Sequence, residues 1–417
     1  MIERFYSARW TVQRLRSGPL GPYLDGFARV LVERGYARQT GRHQLRLLRE
    51  LSEWLEHRGL GVGDVDESRL AEFLAQAVQG REYIHRCQAA GLGLLLGHLR
   101  ETGTLPVPHV EAEDTPLRRL EGDFTRHLVE ERGLSPATAG RHLPLIRSFL
   151  AARFGTGPLS LSELRPADVI RFVLHYTRSS GRSGGARDAK TMISGLRVFF
   201  RFLRLRGDIT LDLAEAIPRV AAWRHSGLPK SLPPEQVRQL LESCDRSRPV
   251  GRRDYALLLL LARLGLRAGE VRAMRLEDLD WKAGEILVRG KGHRLERLPM
   301  LQDVGEALVG YLRRGRPRCA ARQVFVRTRA PHRGLANSSS VDAIVERALE
   351  RAGLDPPLKG AHLLRHSLAT EMLRRGASLG EIAQILRHRQ PSTTEIYAKV
   401  DLEALRALAQ PWPGGAP

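Results

Sequence analysis

The stretch KGAHLLRHSLATEMLRRGASLGEIAQILRHRQPSTTEIYAKV, from Lys359 to Val400, decides the fold of the C-terminal part of this chain. Apolar residues recur with helical spacing from Leu363 to Leu373, so the pattern predicts a helix there. His362 and Arg365 are three residues apart at its start, which places both side chains on one helix face. An imidazole and a guanidinium are therefore expected side by side.

The second half of the stretch predicts two more short elements. Ser378 with Glu381 forms a capping-box pattern that begins a helix leading to His388. Ser392 with Glu395 repeats the pattern after a proline, before a turn that carries Tyr397. A second imidazole and a phenol are thus expected close to the first pair.

The charge of the chain predicts a polyanionic partner. Lys and Arg number 67 against 46 Asp and Glu, which gives a net charge of +21 in 417 residues. The length is enough for two or three domains, and a hydrophobic content of 42% makes the chain foldable. So large a basic excess on a foldable chain favours nucleic acid as the partner.

Cysteine usage and hydropathy favour a reducing compartment. Cys87, Cys244 and Cys319 are far apart, with neither a disulfide framework nor the spacing of a metal site, so no metal and no cofactor are expected. The N-terminus lacks the apolar core of a signal peptide, and the longest apolar run, Ala256 to Ala262, is too short to span a bilayer. We expect a cytoplasmic protein, associated with the nucleoid when bound to DNA, and no membrane partner.

A loose internal repeat occupies the N-terminal half. Residues Leu24 to Thr40 resemble Leu120 to Thr138, with Gly35 matching Gly133 and Thr40 matching Thr138 at an offset of 98. Val65 and Phe73 match Leu164 and Phe172 at an offset of 99. Each unit is predicted as a helix, a Gly-containing turn, an arginine-rich helix (Arg38 to Trp54; Pro136 to Phe154) and a further helix. Two interpretations stay open: a duplicated DNA-gripping domain, or the general similarity of amphipathic helical hairpins.

Proline-rich linkers and basic helices follow. The linkers are Leu105 to Pro116 and Ile217 to Gln236. A helix from Lys190 to Leu205 follows a basic Gly- and Ser-rich loop, and its basic face is either solvated or in contact with phosphates. The candidate DNA-binding residues are Lys190, Arg197, Arg201 and Arg204 on that helix, and Arg141 on the arginine-rich helix.

Beyond the second linker, a nearly all-apolar helix from Asp254 to Leu266 must lie in a core. Arg267 follows it, and an arginine held near a core needs an anion or a carboxylate, for which Glu270 is a candidate. Alternating residues on either side of Gly290-Lys291-Gly292-His293 predict a β-hairpin over 285–289 and 295–299, with Lys291 at its tip. Helices are predicted over 304–314 and 341–352.

Taken together, these motifs resemble the tyrosine recombinases, the phage-integrase-type site-specific recombinases. The residues that carry the resemblance are Arg267 in GLRAGE, the hairpin Lys291, His362 and Arg365 in HLLRH, His388 in LRH and Tyr397 in TTEIYAKV. The spacing of these residues looks typical of the family. The gaps are 24 residues from Arg267 to Lys291, 3 from His362 to Arg365, 23 from Arg365 to His388 and 9 from His388 to Tyr397. The resemblance covers about residues 118 to 410. There are two departures: Arg387 stands where a glycine is usual, and Lys399 where a histidine often follows the tyrosine.

The resemblance implies a mechanism. Tyr397 attacks a DNA phosphodiester and forms a 3′-phosphotyrosine, while Arg267 and Arg365 hold the phosphate. Lys291 protonates the leaving 5′-oxygen, His362 assists proton movement and His388 donates a hydrogen bond to the phosphate. Glu270 is interpreted as support for Arg267. His366 and His293 are interpreted as local or DNA-backbone residues.

The expected fold is mainly α with a small β-hairpin sheet, in which helical N-terminal and core-binding domains are linked to an α+β catalytic domain. The domains are residues 1–110, a helical extension that resembles a second core-binding unit; 116–215, the core-binding domain; 228–410, the catalytic domain; and 411–417, a tail. The implied function is site-specific recombination for a mobile element through a Holliday junction, by a homo-tetramer on two DNA duplexes that carry specific recombination sites. Two interpretations stay open for an apolar stripe of Leu402, Leu405 and Leu408: it packs on its own domain or, as the resemblance implies, docks on a neighbouring protomer. The alternatives are a type IB topoisomerase-like enzyme and a DNA-binding factor without activity.

Overall fold

The computed structural model of this chain describes residues 1–77, 82–107, 115–155, 157–179, 185–218, 230–290, 294–388, 390 and 393–400. The fold is mainly helical with one small sheet, which confirms the predicted fold class. The chain divides into two compact units. One contains Met1–Leu105 together with Gly227–Pro417, and the other is Pro106–Ser226.

The N-terminal part of the first unit is a bundle of helices around its own apolar core. Its helices are α1 (Arg9–Leu15), α2 (Gly21–Glu33), α3 (Arg38–His57), α4 (Glu67–Ala77) and α5 (Glu82–Glu101). Leucines spaced three or four residues apart on α3, including Leu45, Leu48 and Leu55, are fully buried. This spacing leaves the arginines of α3 on the other face.

The second unit is built in the same way. Its helices are α6 (Pro116–Arg126), α7 (Pro136–Phe154), α8 (Pro166–Ser179) and α9 (Gly185–Arg206). Its core is rich in phenylalanines with edge-on ring contacts, such as Phe124 against Phe199 and Phe149 against Phe200. The predicted arginine-rich helix coincides with α7.

The two helical regions repeat the same order of elements. Gly35 (φ +78°) precedes α3, and Gly133 (φ +61°) precedes α7 at the offset of 98 found in the sequence. A 3-10 turn then leads into α4 in one region, and a matching turn leads into α8 in the other. The repeat therefore extends over several consecutive elements, which favours duplication over a chance likeness of hairpins.

The remainder of the first unit carries the predicted site. Its helices are α10 (Pro234–Glu242), α11 (Pro249–Leu264), α12 (Ala268–Ala273), α13 (Gln302–Arg314), α14 (Ser338–Arg351), α15 (Ala361–Arg374) and α16 (Leu379–Ile385). Strands β1 (Leu279–Asp280), β2 (Glu285–Arg289) and β3 (Leu295–Pro299) form an antiparallel sheet in that order, with Leu287 opposite Arg297. The predicted hairpin strands are confirmed, and the predicted helices over 304–314 and 341–352 correspond to α13 and α14.

The two parts of the first unit meet at a close backbone contact. The N–H of His332 donates to the carbonyl oxygen of Arg34 at 3.0 Å. The next residue, Gly35, is left-handed, and a Cβ placed on it would lie 2.0 Å from Cδ2 of His332. Glycine is therefore required at position 35 both by its φ angle and by the space available.

Several features predicted from the sequence lie outside the described residues. These are the middle of both linkers, the hairpin tip with Lys291 and His293, the cap at Ser392, and everything after residue 400, including the apolar stripe and the tail. The domain boundaries stay a prediction, and separate apolar cores within residues 2–105, 120–217 and 232–364 are consistent with them. In the described part of the chain, no helix is long and apolar enough to cross a membrane.

Candidate functional site around Arg365 and Tyr397

Arg365 anchors the site from inside the protein. It lies on α15, is 3% exposed, and donates to the carbonyl oxygens of Gly265 and Leu386. These two bonds use two of the five N–H groups of its guanidinium. Burial, together with the positive charges of Arg267 and Arg387, lowers the pKa of Arg365 to about 10, so it stays charged at neutral pH.

Gly265 allows this contact to form. It ends α11 in the left-handed conformation, with φ +56°. A Cβ on Gly265 would lie 2.7 Å from Cδ2 of Leu386, so a side chain there would have to displace the buried Leu386 side chain. Glycine at the end of α11 therefore suits both the φ angle and the close approach of Leu386.

Arg267 and Glu270 form the pair expected from the sequence. The Arg267 guanidinium contacts Glu270 at 2.7 Å and donates to the carbonyl oxygen of Arg387 at 3.2 Å. Glu270 is 5% exposed and also caps α12 by accepting from the backbone N–H of Arg267. Burial alone would raise the pKa of Glu270, but that N–H and the Arg387 and Arg267 guanidiniums lower it overall. The carboxylate therefore stays ionised and holds Arg267 in place.

Arg387 occupies the position where a glycine was expected, and its backbone is left-handed, with φ +56°. Its guanidinium contacts Glu270 at 2.8 Å and Glu296 of β3 at 3.4 Å, and its side chain is 6% exposed. A non-glycine residue in this conformation costs about 1–3 kcal/mol. The ion pair with buried Glu270 offsets that cost and adds a third guanidinium to the site.

Tyr397 approaches α15 from the last described turn. It is 1% exposed and packs with Ala369, Ile382 and Leu386. Its hydroxyl lies 2.8 Å from Nδ1 of His366. Burial raises the pKa of Tyr397 to about 12, although the charge of Arg365 acts in the opposite direction.

His388 is held at the same place by a threonine. Its Nδ1 lies 2.7 Å from the hydroxyl of Thr394, which is 2% exposed. Burial, followed by the charges of Arg365 and Arg267, lowers the pKa of His388 to about 4, so the ring is neutral near pH 7. In the tautomer in which Nδ1 accepts from Thr394, the proton is on Nε2, which can donate to another group.

The structure brings most of the predicted site together. Arg365 contacts the backbone that carries Arg387 and His388, Arg267 contacts the same segment, and Tyr397 contacts α15. His362 lies on α15 as well, exposed, with its ring centroid 6.3 Å from that of His366. Lys291 is outside the described residues, but the strands that lead to it are adjacent to Arg387 through Glu296.

A cleft of about 420 Å³ opens between β3 and the end of α16. Arg294, Glu296, Gln384, Arg387 and His388 are among the residues that line it. Two residues of the site, Arg387 and His388, therefore border the cleft. A phosphate group in it would meet guanidinium groups and an imidazole.

The predicted DNA-binding residues of the second unit are not equivalent. Lys190 and Arg201 on α9 are exposed, as is Arg141 on α7. Arg197 is half-buried and donates to the carbonyl oxygen of Ile217 at 3.4 Å, and Arg204 is paired with Asp212. Both Arg197 and Arg204 already have a partner within the protein, so Lys190, Arg201 and Arg141 are the stronger candidates.

Two residues of the site, His366 and Thr394, differ from the interpretation of the sequence. The sequence places His366 among local or DNA-backbone residues and gives Thr394 no role, whereas the structure places each against a motif residue. His366 follows Arg365 directly, and Thr394 is three residues before Tyr397, so their proximity to motif residues was the only signal. Their contacts depend on how the last turn packs on α15. Among the described residues, no group of three or more His, Cys, Asp or Glu side chains is arranged to hold a metal ion.

A basic protein whose helices gather guanidiniums, imidazoles and a phenol is suited to act on a phosphate ester of nucleic acid. Comparisons with known proteins agree. Residues 230–403 match the Phage integrase family, and residues 122–207 match the Phage integrase N-terminal SAM-like domain. The chain belongs to the phage integrase family of tyrosine recombinases, enzymes that cleave and rejoin DNA.

Similar proteins include relatives of full and partial length. The integrase/recombinase y4rA of Sinorhizobium fredii is 44% identical over 417 residues and covers 100% of both chains. Tyrosine recombinase XerD of Mycobacterium tuberculosis is 31% identical over 312 residues, which are 72% of this chain and 97% of XerD. In fold, the chain is similar to the XerH recombinase solved in a post-cleavage DNA complex, with a TM-score of 0.53, 21% identity, and coverage of 72% of this chain and 97% of XerH.

Proposed function

We propose that this recombinase cuts each DNA strand by attack of Tyr397 on a phosphodiester, which leaves a 3′-phosphotyrosine and a free 5′-hydroxyl. The observation that carries the proposal is the approach of Tyr397 to α15, where Arg365 is buried and charged beside Arg267. Three elements far apart in the sequence contribute these side chains. The bond energy is kept in the phosphotyrosine, so rejoining consumes no nucleotide cofactor.

The arginines stabilise the charge of the transition state. Arg267 and Arg365 hold the nonbridging oxygens, and His388 donates to the phosphate from Nε2. Removal of one such donor costs about 3–4 kcal/mol of transition-state stabilisation. Glu270 is a positioning residue, since it fixes Arg267 and contacts no substrate in this scheme. By resemblance, Lys291 protonates the 5′-oxygen and His362 assists proton movement.

The biological reaction we propose is site-specific recombination through a Holliday junction by a tetramer on two DNA duplexes, in the service of a mobile element. The net charge of +21 and the full-length similarity to a protein named integrase/recombinase support it. The comparisons give no support to a topoisomerase-like enzyme or to an inactive factor. We place the reaction in the cytoplasm, at the nucleoid.

The repeat of elements supports a proposal for the role of the N-terminal region. Residues 1–105 share the helix order of the region that matches the SAM-like domain, and we infer that they form a second DNA-gripping unit. The exposed arginines of α3 are then the counterparts of Arg141 on α7. The N-terminal region then adds DNA contacts to those made by residues 122–207.

Replacement of Tyr397 by phenylalanine tests the cleavage chemistry. The variant should form no covalent DNA adduct but bind DNA as the wild type does, because only a buried hydroxyl is lost. The measurement is denaturing gel analysis of protein incubated with nicked duplexes from the DNA that flanks the gene. An adduct formed by Tyr397→Phe would assign the nucleophile to another residue.

A further inference from the structure

The hydroxyl of Tyr397 and Nδ1 of His366 are 2.8 Å apart, and neither the resemblance nor the proposed mechanism uses His366. We propose that His366 is a catalytic base: it accepts the phenolic proton of Tyr397 when the oxygen attacks DNA, and it returns that proton when the strand is rejoined. The inference rests on the proposed function, since it requires Tyr397 to be the nucleophile.

The geometry favours His366 over the other imidazole of α15. The His366 ring centroid is 5.7 Å from that of Tyr397, with the two planes at 60°. His362 is one helical turn earlier on α15 and is exposed, and its ring centroid is 6.3 Å from that of His366. His366 is thus the imidazole in hydrogen-bond contact with the reacting oxygen, within the distance required of a general base.

The protonation states suit a base that acts only on bound DNA. Burial lowers the pKa of His366 to about 4, with further contributions from His362 and Arg365, so the ring keeps a lone pair at neutral pH. Burial also keeps Tyr397 protonated. Proton transfer would create an imidazolium beside Arg365 and His362, which is unfavourable until an anion neutralises the charge of Arg365. A phosphodiester in the site supplies that anion.

The step is balanced in atoms and electrons. The proton moves from Oη of Tyr397 to Nδ1 of His366, the Oη–P bond forms, and the P–O5′ bond breaks. The 5′-oxygen takes a proton from the leaving-group acid, the role assigned to Lys291. In the reverse reaction the 5′-hydroxyl returns its proton to Lys291 and attacks phosphorus, the P–Oη bond breaks, and His366 gives its proton back to Oη.

The first test uses His366→Asn in the full-length protein. The asparagine amide can occupy the position of Nδ1 and form a hydrogen bond, but it cannot accept a proton at neutral pH. On a nicked duplex that carries the cleavage site mapped with the wild type, single-turnover cleavage should fall about 10²–10³-fold while DNA binding is unchanged. The residual rate should rise about tenfold per pH unit, because solvent must now generate the phenolate. The matched control is His57→Asn, an exposed histidine at the end of α3.

A modified substrate separates the base from the leaving-group acid. A 5′-bridging phosphorothiolate has a sulfur leaving group that needs no proton, so it restores cleavage to a variant that lacks the acid. The defect of His366→Asn should persist on this substrate. Full restoration of cleavage on this substrate would show that His366 protonates the leaving group. Cleavage of ordinary DNA by His366→Asn at the wild-type rate would show that His366 only forms a structural hydrogen bond. Either result overturns the proposal.

A DNA-free measurement separates this inference from the proposed function. The ¹⁵N chemical shifts of the His366 ring in the wild-type protein should show the neutral tautomer with the proton on Nε2, which leaves Nδ1 free to accept from Tyr397. A proton on Nδ1 would contradict the proposal even if DNA cleavage by Tyr397 were demonstrated. Failure of the wild type to form any DNA adduct would instead end the proposed function.

Discussion

At the scale of single residues, Arg387 shows how a strained backbone is retained for its side chain. Its φ of +56° suits glycine, yet the guanidinium is buried against Glu270 and reaches Glu296 on the hairpin strand. The position therefore links the pair that holds Arg267 to the strand that leads to Lys291. Glycine there would relax the backbone and lose both contacts.

Substitution of Arg387 by glycine and by alanine separates these two effects. Both variants lose the ion pair with Glu270, so both should be less stable than the wild type. The glycine variant should be more stable than the alanine variant by about 1 kcal/mol, because alanine keeps the left-handed strain. Urea unfolding of the three proteins measures the difference. Equal stability of the two variants would contradict the left-handed conformation.

A control for the second contact is Glu296→Gln. The Arg387 to Glu296 pair is 3.4 Å long and the Glu296 side chain is 39% exposed, so its loss should change stability by at most about 1 kcal/mol. A larger loss would place the main support of Arg387 on the hairpin instead of on Glu270.

At the scale of elements, local signals in the sequence predicted much of the site. The capping box at Ser378 and Glu381 begins α16 as expected, and the strands of the hairpin have the predicted bounds. Both features depend on residues within a few positions of each other. The contact of Tyr397 with His366 joins the last turn to α15 across 31 positions, so no short-range pattern signalled it.

The packing of these elements has a consequence for stability against acid. Burial lowers the pKa of both His366 and His388 to about 4, below the ordinary value of 6.5. Between pH 6.5 and pH 4 the unfolded chain binds protons at these residues while the folded chain does not. The free energy of unfolding should therefore fall as the pH decreases through that window.

The double variant His366→Asn, His388→Asn tests this. Its free energy of unfolding should fall less steeply than that of the wild type from pH 6.5 to pH 4.5, as measured by urea unfolding at several pH values. Above pH 7 the two proteins should show parallel pH dependence, because both histidines are then neutral in both states. Identical slopes below pH 6.5 would mean that neither ring is shielded from protonation.

At the scale of the whole molecule, the composition predicted the partner but not the arrangement of the chain. A net charge of +21 indicates a polyanion wherever the basic residues lie. Residues 1–105 form one compact unit with the catalytic region, and the two parts meet where the N–H of His332 donates to the carbonyl oxygen of Arg34, a residue far away in the sequence. Neither the composition of the linkers nor the periodicity of the helices predicts such a contact.

The charge predicts strong salt dependence of DNA binding. Affinity should fall by about 10³-fold between 50 and 200 mM salt if six or so phosphates are neutralised. Arg201→Gln should reduce the slope of log affinity against log salt by about one, since Arg201 is exposed. Arg204→Gln should reduce it less, because Arg204 is already paired with Asp212. Filter binding over a salt series measures both, and a flat dependence would contradict the charge argument.

The contact at Gly35 also limits how this protein can be rebuilt. A chimera that exchanges the first hundred residues for those of another enzyme must again present a left-handed glycine and an outward carbonyl to His332. A larger residue at position 35 would clash with His332 and prevent the grafted helices from packing in this position. The N-terminal helices must therefore be redesigned together with the loop that contains His332.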